Sequence, residues 1–75
     1  MTPEDTEICD ARLQLEAQVR NILRELAVLA GEEADLIASG DQSRMDAVDQ
    51  KLENVLGEKE RAIGALKQHR AEHGC

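Results

Sequence analysis

The chain has 75 residues, contains no Phe, Tyr or Trp, and carries a formal net charge of −7. At this length it forms at most one small domain, and without aromatic side chains its stability must come from aliphatic side chains packed along an elongated structure. The negative charge argues against binding to nucleic acid, because phosphate binding needs clustered Lys and Arg and unpaired bases are usually held by aromatic rings.

The sequence also argues against association with a membrane. No apolar run approaches the ~18 residues of a transmembrane span, and a net negative charge is unfavourable at an anionic lipid surface. The first residues, MTPEDTE, are acidic and lack the basic-then-apolar order of a signal peptide. We therefore expect a cytoplasmic protein.

The first predicted element is a long helix over about residues 3–39. Pro3 suits the first helical position, and Thr2 is a candidate N-cap before it. Aliphatic residues then recur every seven positions, with a second set interleaved and a third set on one flank, which is typical of a coiled-coil-like helix. The heptad set is Ile8, Leu15, Ile22, Leu29 and Leu36; the interleaved set is Val19 and Leu26; the flanking set is Leu23, Ala30 and Ile37.

The stretch ASGDQS then predicts a turn over about residues 40–42. Gly40 favours the left-handed conformation that ends many helices, and either Asp41 or Ser43 can cap the helix that follows. Because the connection is so short, the two helices should lie antiparallel, as an all-α, coiled-coil-like hairpin.

The second predicted helix covers about residues 43–73 and carries one apolar stripe. Lys59 interrupts this stripe, although its aliphatic stem can still cover apolar surface. His69 and His73 continue the stripe at the same spacing, so the two imidazoles should face the first helix. The apolar members of the stripe are Met45, Val48, Leu52, Val55, Leu56, Ala62, Ile63 and Leu66.

The apolar stripes are wider than a two-helix hairpin can cover. Residues on their flanks should stay exposed until a further helical surface packs on them. We therefore expect a protein-interaction and oligomerisation module that pairs into a four-helix bundle with a helical partner, most simply a second copy as a homodimer. The candidate interface residues are Leu23, Ala30, Ile37, Leu56 and Ile63.

The cysteines and histidines are predicted to meet at the open end of the hairpin. Folding the chain at its turn places Cys9 at the level between His69 and His73, with Cys75 a few residues beyond. Two Cys and two His would complete a tetrahedral shell for Zn²⁺, and the metal would then clamp both termini.

Two other interpretations of these residues stay open. A Cys9–Cys75 disulfide would be a different clamp at the same place. Alternatively there is no site, Cys9 packs as a small hydrophobe, and the histidines are polar residues at a helix C-terminus. If a clamp forms, the alternative function is a thiol- or metal-responsive sensor or adaptor whose open end loosens on metal loss or oxidation.

Enzymatic activity is not expected. The chain has no Gly-rich phosphate loop, and a hairpin without aromatic residues offers no obvious concave pocket for a small-molecule substrate. The Glu-x-x-His motif of helical metal enzymes is absent, because Leu66 and Arg70 stand three residues before the two histidines. We therefore predict no catalytic residues and no cofactor other than Zn²⁺.

Overall fold

The computed structural model describes the backbone of residues 3–73 and the side chains of residues 10–73. This part of the chain forms two helices, α1 over Pro3–Ser39 and α2 over Gln42–His73. The helices pack against each other, and because only two residues join them they run in opposite directions. The prediction of an all-α pair of packed helices is therefore confirmed, whereas its pairing into a four-helix bundle stays a prediction.

Gly40 ends α1 in the left-handed conformation that the sequence predicts, with φ of 69°. Its backbone N–H donates a hydrogen bond to the carbonyl oxygen of Leu36 at 3.1 Å. The hydroxyl of Ser39 donates to the same oxygen at 2.9 Å. These bonds satisfy a carbonyl group that has no partner within the helix, so α1 stops cleanly and the chain can reverse.

Asp41 caps the start of α2. Its Oδ1 accepts a hydrogen bond from the backbone N–H of Arg44 at 3.1 Å, which is the usual geometry of an N-cap side chain. Accordingly α2 begins at Gln42, and Ser43 lies inside its first turn. The candidate cap of α1, Thr2, lies outside the described residues.

The seam between the helices is apolar but thin. Its buried side chains all belong to the predicted stripes, and most lie in the half of the hairpin nearer the turn. None of the described side chains is completely buried. Since fully burying a Leu or Val contributes roughly 1.5–3 kcal/mol, few side chains carry the stability of the isolated hairpin. The buried residues are Leu29, Leu36, Val48, Val55 and Leu66.

The hairpin is a rod rather than a sphere. It measures 57 × 14 × 12 Å and has a radius of gyration of 17.0 Å, whereas a compact chain of this length would have about 11 Å. Its accessible surface is 5481 Å², compared with about 4,600 Å² for a compact monomer of the same mass. A single chain therefore leaves an unusually large area exposed for its size.

Candidate interaction surface

An ion pair between the helices shows which residues share one side of the hairpin. The guanidinium Nη2 of Arg70 donates to Oε1 of Glu16 at 3.1 Å. Residues seven positions apart lie on the same face of a packed helix. The predicted interface residues stand at multiples of seven from this pair, so we call their surface the apolar side: Leu23, Ala30, Ile37, Leu56 and Ile63.

The apolar side is mostly exposed in the hairpin. Leu23 and Leu56 each keep 44% of their surface accessible, and Ile37 keeps 66%. Ala30 is also exposed, whereas Ile63 is half-buried. The five predicted interface residues therefore lie on one side, and three large aliphatic side chains among them are available to a partner.

The opposite side of the hairpin is charged. A groove along the seam is lined there by Glu32 and Asp35 from α1 and by Arg44 and Lys51 from α2. Glu32 stands two residues beyond Ala30, which is about 200° around the helix. We call this surface the charged side. Acidic residues on α1 lie near basic residues on α2 there, so this side is electrostatically balanced within one chain.

A contact between two carboxyl groups lies beside the apolar side, near the turn. A side-chain hydrogen bond with Asp49 raises the pKa of Glu33 above its ordinary value of 4.5, and partial burial and the negative charge of Asp49 act in the same direction. Glu33 is half-buried. It stands four residues before Ile37, one helical turn away.

A small cluster of charges lies at the other end of the apolar side. Nε of Arg12 lies 3.7 Å from Oε1 of Glu16, the same oxygen that Arg70 binds. This Nε is buried and has no hydrogen-bond partner among the described residues. The carboxylate of Glu16 therefore interacts with the guanidinium groups of both Arg12 and Arg70 at the open end.

The structure brings together two of the four predicted metal ligands. The ring centroids of His69 and His73 are 4.8 Å apart, with the rings tilted by 53°. Nε2 of His73 also lies 3.8 Å from a carboxylate oxygen of Glu72. The side chain of Cys9 and the whole of Cys75 lie outside the described residues. Within the part that is described, no group of three or more His, Cys, Asp or Glu residues could hold a metal ion.

Sequence reasoning missed two polar residues that extend the apolar stripe of α1. Arg12 stands seven residues before Val19, and Glu33 stands seven after Leu26. Both are half-buried, as their positions in the repeat require. The seven-residue spacing was a usable signal, but a pattern built only from aliphatic residues passes over charged side chains at the same positions.

Comparisons with known protein families, curated proteins and solved structures found no match to this chain. Neither helix, over the residues described, has a stretch long and apolar enough to cross a membrane. The interpretation of this surface therefore depends on its own geometry.

Proposed function

We propose that the chain is a protein-interaction and oligomerisation module whose apolar side packs on another helical surface to form a four-helix bundle. The observation that supports this most directly is the joint exposure of Leu23, Ile37 and Leu56 on one side of the hairpin. Single exposed hydrophobic residues are common on proteins, but a continuous strip of them usually marks a contact surface.

The energetics favour an association that depends on concentration. Fully burying a Leu or Ile contributes roughly 1.5–3 kcal/mol, and these residues are already about half covered, so each adds about 1 kcal/mol on contact. Association costs at least about 4 kcal/mol in lost translational and rotational freedom. A few such residues from each partner therefore give a complex that dissociates on dilution.

The test compares two β-branched residues of similar exposure. Ile37 lies on the apolar side and is 66% exposed, whereas Val28 is 61% exposed and stands five residues beyond Leu23, about 140° around the helix. Sedimentation equilibrium should show wild-type species heavier than the 8.3 kDa chain. Ile37→Asn should shift them toward monomer, and Val28→Asn should not.

Two outcomes of this experiment would contradict the proposal. A wild-type chain that stays monomeric up to millimolar concentration would show that the apolar side does not self-associate. Equal effects of Ile37→Asn and Val28→Asn would show that association depends on general hydrophobicity rather than on this side.

We propose a second role for the open end, where His69 and His73 lie side by side. Imidazoles one turn apart on a helix and cysteine thiolates are the usual ligands of structural zinc. In this proposal Cys9 and Cys75 complete the site and clamp the termini, or form a disulfide in its place. Loss of metal or oxidation would then loosen the open end, as in a sensor or adaptor.

Native mass spectrometry on protein purified without chelator or reductant tests the clamp. One added zinc, lost in the Cys9→Ser and His69→Asn variants but retained in Glu72→Gln, supports the metal site. A mass two units low supports the disulfide. An unmodified mass contradicts both clamps and leaves the interaction role untouched.

A further inference from the structure

The charges on the apolar side are separated along the rod. Within one helical turn of its aliphatic residues, the half nearer the turn carries four carboxyl groups and, among the described residues, no basic group. The half nearer the open end carries four basic groups and one carboxyl group, a net charge of +3. We call the first set the turn cluster, which consists of Glu33, Asp46, Asp49 and Glu53, and the second the open-end cluster, which consists of Arg12, Glu16, Arg20, Lys67 and Arg70.

Contacts within the hairpin show that a single chain does not neutralise either cluster. In the turn cluster, the side chain of Glu33 contacts Asp49, so two carboxyl groups meet across the seam. In the open-end cluster, Arg12 and Arg70 both lie against Glu16, and Nε of Arg12 is buried without a hydrogen-bond partner among the described residues. Each end of the apolar side therefore has an excess of one charge, and the two signs are opposite.

The two clusters are placed symmetrically about one level of the rod. In α1, the midpoint between Arg12 and Glu33 falls between residues 22 and 23, and in α2 the midpoint between Asp49 and Arg70 falls between residues 59 and 60. Both midpoints lie about 16 Å from the contact of Glu33 with Asp49, so they are level with each other. They also lie within two residues of the middle of each helix.

Two copies that run in opposite directions can use this symmetry. If their apolar sides meet about a two-fold axis at this level, α1 lies on α1, α2 lies on α2, and the hairpins overlap along nearly their whole length. Each turn cluster then lies on the open-end cluster of the other copy. Leu56 of one copy comes level with Ile63 of the other, because the two residues stand equally far from the midpoint in α2. A symmetric interface requires a patch that complements itself in this way.

Copies that run in the same direction do not have this property. They would place the turn cluster beside the turn cluster and the open-end cluster beside the open-end cluster, and like charges at close range repel. Lys59 and Glu60 lie between the two clusters and are adjacent, so they balance each other in either orientation. The charges therefore select one orientation, which the aliphatic residues alone do not.

We propose that the apolar side is covered by a second copy of this chain running in the opposite direction, with the turn cluster of each copy on the open-end cluster of the other. The inference rests on the proposed function, since both use the apolar side. A partner needs the inverse charge pattern over the same length, and the reversed chain has both. The roughly 900 Å² by which the hairpin exceeds a compact chain is close to the roughly 800 Å² that each partner buries in a standard interface.

A charge-exchange experiment at Glu53 and Lys67 tests the orientation. Both residues are exposed, stand seven positions to either side of Glu60, and form no ion pair with another described residue. Glu53→Lys and Lys67→Glu each place like charges at two symmetric contacts, so each should raise the dimer dissociation constant about tenfold. Glu53→Lys also changes the net charge from −7 to −5, so general repulsion alone would make its dimer tighter.

Recombining the two charges should restore the contact. The double variant should return close to wild type, and native mass spectrometry of the two mixed single variants should show more heterodimer than the statistical half. Lys51→Glu is the matched control for Lys67→Glu, because it changes the net charge equally on the charged side. It should leave the dissociation constant nearly unchanged. Statistical mixing of Glu53→Lys with Lys67→Glu, or a double variant as weak as the single ones, would overturn the pairing.

Disulfide trapping checks the level of the two-fold axis independently. In a Cys9→Ser and Cys75→Ser background, Leu23→Cys should oxidise readily to a covalent dimer, because residue 23 lies beside the axis and its two copies come close enough for a disulfide. Ala30→Cys should not, since its copies would be about 22 Å apart along the rod. Any other pattern of crosslinking at these two positions would overturn the register.

The outcomes separate this inference from the function on which it rests. A concentration-dependent dimer that fails both the exchange and the crosslinking tests keeps the interaction module and rejects the opposed pairing. A chain that is monomeric throughout rejects both.

Discussion

The two sides of the hairpin cover the same thin seam with different side chains. On the charged side, Glu32 and Asp35 of α1 lie along one groove with Arg44 and Lys51 of α2. On the apolar side, the equivalent margin carries aliphatic residues of which Ile37 is the most exposed. Charged side chains shield a seam while remaining hydrated. Aliphatic side chains shield it only while exposing their own apolar surface.

The two sides therefore differ in how much apolar surface a single chain leaves exposed. The charged side offers nothing that a helical partner would need to cover. The apolar side leaves Leu23, Ile37 and Leu56 accessible, in a chain whose buried seam is small. Burying these exposed aliphatic residues would therefore add most to stability. Substitutions that change the apolar side should have the largest effects.

Leu56→Asp should have the largest effect. Leu56 is 44% exposed on the apolar side, so the substitution puts a carboxylate into the surface that a partner would cover. The lost burial and the desolvation of the new charges should cost about 2–4 kcal/mol, a 30- to 1000-fold increase in the dissociation constant. Analytical ultracentrifugation over a range of concentrations measures it.

Lys51→Asp is the control for this substitution. Lys51 lies on the charged side, and its replacement lowers the net charge by two units, more than Leu56→Asp does. If general repulsion governed assembly, Lys51→Asp would weaken the dimer more. We expect it to leave the dissociation constant within about threefold of wild type, because surface charges away from a contact contribute little.

The fold was largely predictable because its signals are local. The seven-residue spacing of aliphatic residues sets the contact face of each helix. Gly40 adopts φ of 69° because it has no Cβ, and this depends on that residue alone. The choice between Asp41 and Ser43 as cap was not predictable. It depends on the direction in which the chain leaves Gly40 and enters α2. That direction is set by backbone geometry and not by residue type.

The aliphatic residues of the apolar side could be predicted from the sequence, but the polar contacts at its two ends could not. Leu23 and Ile37 follow from helical spacing alone. The contact of Glu16 with Arg70 joins residues 54 positions apart, so it requires the register of the two helices to within one residue. The raised pKa of Glu33 likewise depends on Asp49 across the seam, and sequence spacing within one helix carries no information about it.

Glu33→Gln should have a moderate effect whose sign depends on pH. The contact with Asp49 raises the pKa of Glu33 above 4.5 in the folded state. Its contribution to stability is therefore fully present below pH 4.5 and is lost as the pH rises through the folded-state pKa. Gln keeps a hydrogen-bonding group that does not ionise. At pH 7 the variant should melt at a higher temperature than wild type, and the difference should vanish below pH 4.5.

This measurement is best made in the Leu56→Asp background, so that assembly does not contribute to the melting temperature. Glu32→Gln provides the control, since it removes a carboxylate on the opposite side without touching Asp49. A Glu33→Gln variant that melts below its parent at pH 7 would show that the contact is favourable when both groups are ionised, and would contradict a raised pKa of Glu33 caused by Asp49.

The smallest expected effect is at the open end of the apolar side. Arg70 is 57% exposed where it binds Glu16, and ion pairs in such positions contribute about 0–1 kcal/mol. A double-mutant cycle with Glu16→Gln and Arg70→Gln should give a coupling energy below about 1 kcal/mol, and most of it should disappear in 1 M salt, where screening acts within about 3 Å. A larger, salt-resistant coupling would mean that this pair holds the open end shut. A weak coupling would mean that the open end gains little stability from this ion pair.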